Sequence, residues 1–332
     1  MLARLRWTEF GRDPGAAIAR ARLISTLGPL IALLLASIFF SIRTDRFLTT
    51  ENLSLITQQV AVVGVLAIGQ TLIILTAGVD LSCGAVMAFG TIVMTKLAVT
   101  HGVNPFLAIA LGIGVCLGFG VLNGLLVTVL RLPPFIVTLG TLNIAFALTH
   151  ITSSEETIAN LPDPVVFFGN TFRFAGTTIT YGSVLAVALT LITWFVLTKT
   201  VGGRHVYATG NNPDAARLAG VRTRRVLLAV YATAGLLYGI AALVLVGRTG
   251  VGDPQAGQSA NLDSITAVVV GGTSLFGGRG SVLGTLVGTL IVGIFRNGLQ
   301  LLGVAAIYQF LITGVLVILA VAVDQLSRRR QA

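Results

Sequence analysis

Residues 106–130 read FLAIALGIGVCLGFGVLNGLLVTVL, twenty-five consecutive positions without a charge, in which Asn123 and Thr128 are the polar exceptions. As a helix this stretch is roughly 37 Å long, more than a hydrocarbon core of about 30 Å requires. A helix apolar all round belongs in lipid or in the middle of a bundle. Nine blocks of similar character flank it, at roughly 23–42, 53–77, 83–99, 135–151, 179–198, 226–246, 262–276, 281–302 and 305–323. Together they predict an all-α integral membrane protein with about ten transmembrane helices. The block at 262–276 is short, and Gly271-Gly272 and Gly277-Gly278 border it. It is expected to be broken or re-entrant unless protein surrounds its ends.

Composition agrees. Of 332 residues 55% are hydrophobic and only 10% charged, with mean hydropathy +0.92, whereas soluble domains are about 25% charged. This excludes an ordinary soluble fold, a disordered chain, a disulfide scaffold and a coiled coil. The 39 glycines exceed the usual share of about 7%. They include the pairs Gly114/Gly118, Gly120/Gly124, Gly235/Gly239 and Gly284/Gly288, whose spacing lets helices approach closely. General tight packing and a specific dimer seam both fit such pairs. Cys83 and Cys116 lie inside apolar blocks and read as small buried hydrophobes without a disulfide.

A net charge of +10 suggests anionic lipid here, and no nucleic acid. The basic residues sit in short connections, and no basic domain with interleaved aromatics exists. Arg4, Arg6, Arg12, Arg20 and Arg22 precede a first apolar run that is too long for a signal-peptide core and lacks a cleavage site, so it is expected to be retained. With the N-terminus inside, ten spans put the basic connections in the cytoplasm: Arg131, a loop over 199–225, Arg279 and Arg328-Arg329-Arg330. Fewer basic residues fall on the other side (Arg43, Arg46, Lys96, Arg173, Arg248, Arg296), together with Glu155, Glu156 and Asp163 in a long periplasmic loop over 152–178. Nine spans would strand the arginine tail outside, so an even count is expected. The organisation is then a cytoplasmic segment over 1–22, one polytopic domain over 23–325 and a basic cytoplasmic tail over 326–332.

Much of the chemistry is read by absence. There is no GxxxxGK[ST] phosphate loop, and neither Lys96 nor Lys199 follows a glycine, so the chain is expected neither to bind nor to hydrolyse ATP. No HExxH, CxxC or clustered His/Cys/Asp set occurs, so no catalytic residue, metal or cofactor is expected. Two carboxylates border spans, Asp80 in Gly78-Val79-Asp80-Leu81-Ser82 and Asp263 in Asn261-Leu262-Asp263-Ser264. Each is open to two readings, a cap at a helix N-terminus or a gating charge in a wet cavity. Uncharged polar residues inside the spans are better pathway candidates. Gln59 and Gln70 are eleven apart on one face of the second span, Asn123 lies in the fourth, Thr138 and Thr141 in the fifth, and Asn297 with Gln300 in the ninth. Amides and hydroxyls both donate and accept, which suits a neutral polyhydroxylated solute. Bonds between helices use the same groups.

Within the 199–225 loop, residues 202–220 read GGRHVYATGNNPDAARLAG. Asn212 is a good N-cap, Pro213 suits the first helical position and Asp214 meets the positive dipole end. Ala215 to Ala219 continue the helix, and Gly220 is placed to stop it. A separately capped helix in a cytoplasmic loop is more than a connector needs. It suits docking of a soluble partner, with Ala215, Ala216 and Ala219 as the small face turned outward. The expected coupling element comprises Arg204, Gly210, Asn211, Asn212, Pro213, Asp214, Ala215, Ala216, Arg217 and Gly220.

These pieces carry a resemblance. Gly78 to Ser82, Asn123-Gly124, Leu132-Pro133-Pro134-Phe135-Ile136-Val137-Thr138-Leu139-Gly140-Thr141, Ala208 to Asn212 through Ala215-Ala216 to Gly220, and Leu262 to Ala267 through Gly271-Gly272-Thr273-Ser274 to Gly284-Thr285 resemble the ribose-type permeases of bacterial ATP-binding-cassette sugar importers. Cys83 departs from the small aliphatic residue expected there. The resemblance implies import of a monosaccharide, or of a related small polyhydroxylated solute, across the inner membrane. It also implies a second permease copy, identical or related, and a periplasmic sugar-binding protein. A cytoplasmic ATPase, usually with two cassettes in one chain, would alone bind ATP and Mg. Phe135 joins the pathway candidates on this resemblance, and the stretch 204–221 is matched to the ATPase contact. An ion-coupled secondary transporter and a membrane enzyme are the rivals; scarce buried carboxylates and the missing catalytic cluster count against them.

Overall fold

A computed structural model describes residues 14–174 and 176–329. Arg4, Arg6, Arg12 and Arg330 lie outside the described residues, as do the side chains of Arg20, Arg22, Arg328 and Arg329. The chain forms α1 (Pro14–Arg43), α2 (Thr50–Leu75), α3 (Cys83–Val99), α4 (Pro105–Thr128) and α5 (Pro134–Ser153). A short α6 (Asp163–Val166) and a hairpin of β1 (Thr171–Phe174) and β2 (Thr177–Thr180) follow. Then come α7 (Tyr181–Lys199), α8 (Val201–Asn211), α9 (Pro213–Leu218), α10 (Thr223–Thr249), α11 (Ala260–Val270), α12 (Val282–Leu301) and α13 (Ala306–Arg329). Among the described residues, six helices (α2, α4, α5, α7, α10 and α12) are long and apolar enough to cross a membrane. Four shorter apolar stretches, Gly28–Arg43, Cys83–Val99, Ala260–Val270 and Ala306–Val315, account for the remaining predicted blocks. The hairpin lies in the long 152–178 connection, which the all-α expectation had left without strands.

Local chemistry sets the helix starts. Thr49, Asn104, Thr180 and Ser281 each accept a backbone N–H with the side chain at the first turn of α2, α4, α7 and α12, and Pro105 follows Asn104 at a position that needs no donor. α2 and α10 form the buried centre, and glycines decide how closely their neighbours approach. A Cβ on Gly120 would lie 2.9 Å from the Gly235 Cα, and one on Gly239 would lie 2.8 Å from the Ile113 Cα, so α4 and α10 meet backbone to backbone. A Cβ on Gly288 would lie 2.8 Å from the Gly271 nitrogen, which joins α12 to the end of α11 in the same way. Tight packing therefore explains the pairs at 120, 235 and 284. Gly114 and Gly118 face open space.

Two irregular segments run inside the bundle. Residues 76–82 link α2 to α3. The 250–259 segment leaves the end of α10 beside Ile158, with which Gly252 forms an isolated bridge. A Cβ on Gly252 would lie 2.9 Å from the Thr95 Cβ, whereas the Gly257 carbonyl lies 2.5 Å from the Cβ position of Gly84. The segment thus descends along eleven residues of α3, roughly 16 Å. There α11 takes over, and its 11 residues are too few to span. The short eighth block is a half-length helix fed by irregular backbone.

Candidate translocation pathway and coupling element

Five helices, α2, α4, α5, α10 and α11, converge on the irregular stretch 78–82. Asp80 is 1% exposed, and its Oδ1 accepts from the Ser82 N–H (2.7 Å) and the Ser82 hydroxyl (2.6 Å). Its Oδ2 accepts from the Tyr238 hydroxyl at 3.2 Å, which also lies 3.3 Å from Gln70 Oε1, so one proton serves two acceptors. Asn123 Nδ2 donates to Ser82 Oγ (3.2 Å), and Thr138 Oγ1 donates to the Val79 carbonyl (3.2 Å). Gln70 Nε2, Asn123 Oδ1 and the Tyr231 hydroxyl are buried without a hydrogen-bond partner. The stretch is held almost wholly by neutral donors, which is how an isolated carboxylate is accommodated in low dielectric.

Neither carboxylate is a helix cap. The residue at the N-cap of α3 is Ser82, two positions after Asp80. Asp263 is the fourth residue of α11, 2.8 Å from Arg296 Nη1 of α12, and it also accepts from Ser259 Oγ at 3.1 Å. It ties two helices together. A one-dimensional reading sees only local spacing, and both partners that matter, Tyr238 and Arg296, are distant in sequence.

The pathway candidates do not all gather in one place. Gln70, Asp80, Asn123 and Thr138 meet around the irregular stretch, and Thr141 is buried one turn further along α5 with its hydroxyl on the Val137 carbonyl (3.2 Å). Asn297 lies at the opposite end of α2, where it exchanges hydrogen bonds of 3.0 and 2.8 Å with Asn52. Gln300 is exposed, Gln59 is half-buried, and Phe135 is exposed on the first turn of α5. Tyr238, Asn52 and Ser82 were missed as site residues, although each is a polar group in or beside an apolar span.

The second element lies at the C-terminal end of α2, beside Leu75. Asn212 Oδ1 accepts from the N–H groups of Asp214 (3.1 Å) and Ala215 (3.0 Å), Pro213 opens α9, and Gly220 has φ +88° where the helix stops. This start and stop are as the residue types dictate. Helix α8 was not expected, because Gly202, Gly203 and Gly210 make its sequence look like a loop. Thr200 caps it by accepting from the Gly203 N–H (3.2 Å). Tyr207 donates to the Gly280 carbonyl (2.9 Å), and burial pushes its hydroxyl above the ordinary phenol range. A Cβ on Gly210 would overlap the Leu75 carbonyl and lie 2.8 Å from the Gly278 nitrogen, which itself donates to Leu75 O (2.9 Å). Three segments of backbone are thereby stacked.

Of the alanine face expected to turn outward, Ala215 and Ala219 are exposed and Ala216 is not. Ala216 is 5% exposed and points into the protein, whereas Leu218 is 88% exposed. Asp214 and Arg217, paired at 2.8 Å, and Arg204 are exposed beside it. A bulky residue at 216 would disturb this chain before it met any other. Asn212→Ala should cost about 1 kcal/mol by orphaning two N–H groups. Faster proteolytic nicking between 211 and 221 in inside-out vesicles would show it.

Over residues 52–321 the chain matches the family described as branched-chain amino acid transport system / permease component. The chain belongs to this permease family. It is similar to the fructose import permease protein of Rhizobium meliloti, at 46% identity covering 91% of this chain and 85% of the relative. It is also similar to the ribose import permease protein of Bacillus subtilis (40% identity, 91% of this chain, 94% of the relative). The D-allose transport system permease protein of Escherichia coli is 36% identical over 89% of this chain and 90% of the relative. No solved structure matches. The permease is a multi-pass membrane protein and a transport component without catalytic chemistry of its own.

Proposed function

We propose that this permease is the membrane subunit of an importer that carries a monosaccharide across the bacterial inner membrane, driven by ATP hydrolysis on a separate subunit. The observation that carries the reading is the α8–α9 element. A separately capped helix with an exposed tip, Leu218, is joined to a helix seated backbone to backbone on the end of α2 and on the 277–280 turn. A stroke delivered to α9 by a cytoplasmic ATPase would reach the irregular 78–82 stretch through Leu75, which fits alternating access. In this reading the ten apolar segments lie in the membrane with both termini inside. A second permease copy completes the path, and a periplasmic sugar-binding protein delivers the solute.

The family description mentions amino acids, but the polar groups favour sugars. A zwitterion needs paired charges, and the carboxylate at 80 is already engaged by Ser82 and Tyr238. Gln70, Asn123 and Thr138 are neutral donors and acceptors, matched to hydroxyls. Relatives named for fructose, ribose and D-allose agree. The test is reconstitution with candidate ATPase and sugar-binding proteins from the same organism. One of D-fructose, D-ribose or D-allose should raise ATP hydrolysis and accumulate inside vesicles only with ATP. Accumulation driven by a proton gradient without ATP, or stimulation by leucine alone, would overturn the reading.

A further inference from the structure

The 250–259 segment poses a physical problem. It descends about 16 Å beside α3 to Gly84, fifteen residues or roughly 22 Å from the helix end at Val99, so its inner end lies well inside a 30 Å hydrocarbon core. Non-helical backbone at that depth persists only where protein buries it or where it lines a water-filled cavity. A cavity of about 160 Å³ is present there. Its walls are Ala85 and Ala88 of α3, Phe146 and Thr149 of α5, and Gln258 and Asn261 at the turn into α11.

From these features we infer that the cavity is a solute site of the permease, built for one neutral sugar ring; the inference rests on the sugar-import reading above. None of its lining residues is ionisable, so a charged solute or a lipid phosphate would find no counter-charge. A lipid tail would have to cover two amides and an irregular backbone, which hydrocarbon disfavours. Phe146 is 47% exposed and its ring rests against the His150 imidazole, centroids 4.4 Å apart. It offers an apolar face to the C–H side of a sugar ring. Asn261 donates to the Leu81 carbonyl (3.4 Å) and Gln258 donates to Gln255, so both amides are oriented and keep further capacity for hydroxyls. The Asn261 bond also ties the cavity to the stretch that holds Asp80. At about 160 Å³ it is smaller than the roughly 300–1,000 Å³ pockets of drug-sized ligands, as suits one small solute held briefly.

The test uses the assembled importer in vesicles, with D-fructose, D-ribose and D-allose as probes. Phe146→Ala should lower uptake at least about tenfold, an effect of the size that lost pocket contacts produce. Binding-protein-stimulated ATP hydrolysis should remain, and Phe146→Tyr should restore uptake. In a separate variant, Ala85→Cys, at a partly exposed wall position, should react with a small hydrophilic thiol reagent, and transported sugar with ATP should slow that reaction while leucine should not. Native Cys83 and Cys116 are fully buried and supply a silent background. If the wild-type importer takes up one probe while Phe146→Ala transports normally, or Ala85→Cys is inert to the reagent, the cavity is not the solute site and the sugar-import reading stands. If no probe is taken up by the wild type, the import reading fails and this assignment falls with it.

Discussion

Gly210→Val is expected to abolish uptake, and Gly210→Ala to reduce it at least about tenfold, because even one added carbon cannot be placed without separating α8 from α2. The Cβ would overlap the Leu75 carbonyl and lie 2.8 Å from the Gly278 nitrogen. Both are backbone atoms that no rotamer change can move aside. Overpacking of this kind typically costs about 1–3 kcal/mol and more when backbone must shift. The matched control is Gly114→Ala, where nothing lies within 4 Å of the new carbon; it should leave uptake and membrane abundance unchanged. Measuring uptake, abundance and co-purification of the ATPase separates the outcomes. Wild-type uptake by Gly210→Val would mean that α8 does not seat on α2 in the working transporter.

The second large effect is expected at Asp80. Asp80→Ala removes the acceptor for the Ser82 N–H and the Ser82 hydroxyl at once, and leaves the Tyr238 hydroxyl with Gln70 Oε1 alone. Each buried group left unpaired costs about 1–3 kcal/mol, so a loss of several kcal/mol is expected. The variant should show a lower thermal aggregation midpoint in detergent and no uptake. Asp80→Asn should be far milder. Its amide oxygen can still accept from Ser82, and its NH₂ can donate to Tyr238, which then gives its own proton wholly to Gln70. Equal damage from Asn and Ala would show that the charge itself is used, and that the hydrogen-bond account is wrong.

What the sequence made legible divides by distance along the chain. The start of α9 at Asn212-Pro213 and its stop at Gly220 are set by contacts within a few residues, so residue types sufficed. The apolar blocks were legible for the same reason, since length against membrane thickness is a local property. The partners of Asp80 and Asp263 were not, because Tyr238 and Arg296 come from other helices. Helix α8 was hidden by its own glycines. Gly203 and Gly210 give up helix propensity, yet they are needed where Leu197 and Leu75 press close. Ala216 was assigned to the wrong face because small size marks close approach without saying to whom. Asn297 pairs with Asn52, a partner 245 positions away that local spacing cannot show.

The seat of α8 on α2 has one more consequence. Side chains between moving parts behave like soft washers, since rotamers re-settle within picoseconds to nanoseconds and absorb small displacements. At Gly210, Leu75 and Gly278 that cushion is missing, so the linkage has almost no slack. A shift of about an ångström at the outer helix arrives at the membrane end nearly undiminished, as through two meshed teeth without backlash. Play can enter only at Asn211 and Asn212, where an extended residue joins the two helices. Lengthening that joint by a glycine or two should leave a transporter that burns ATP and moves little sugar, an engine turning with its clutch released.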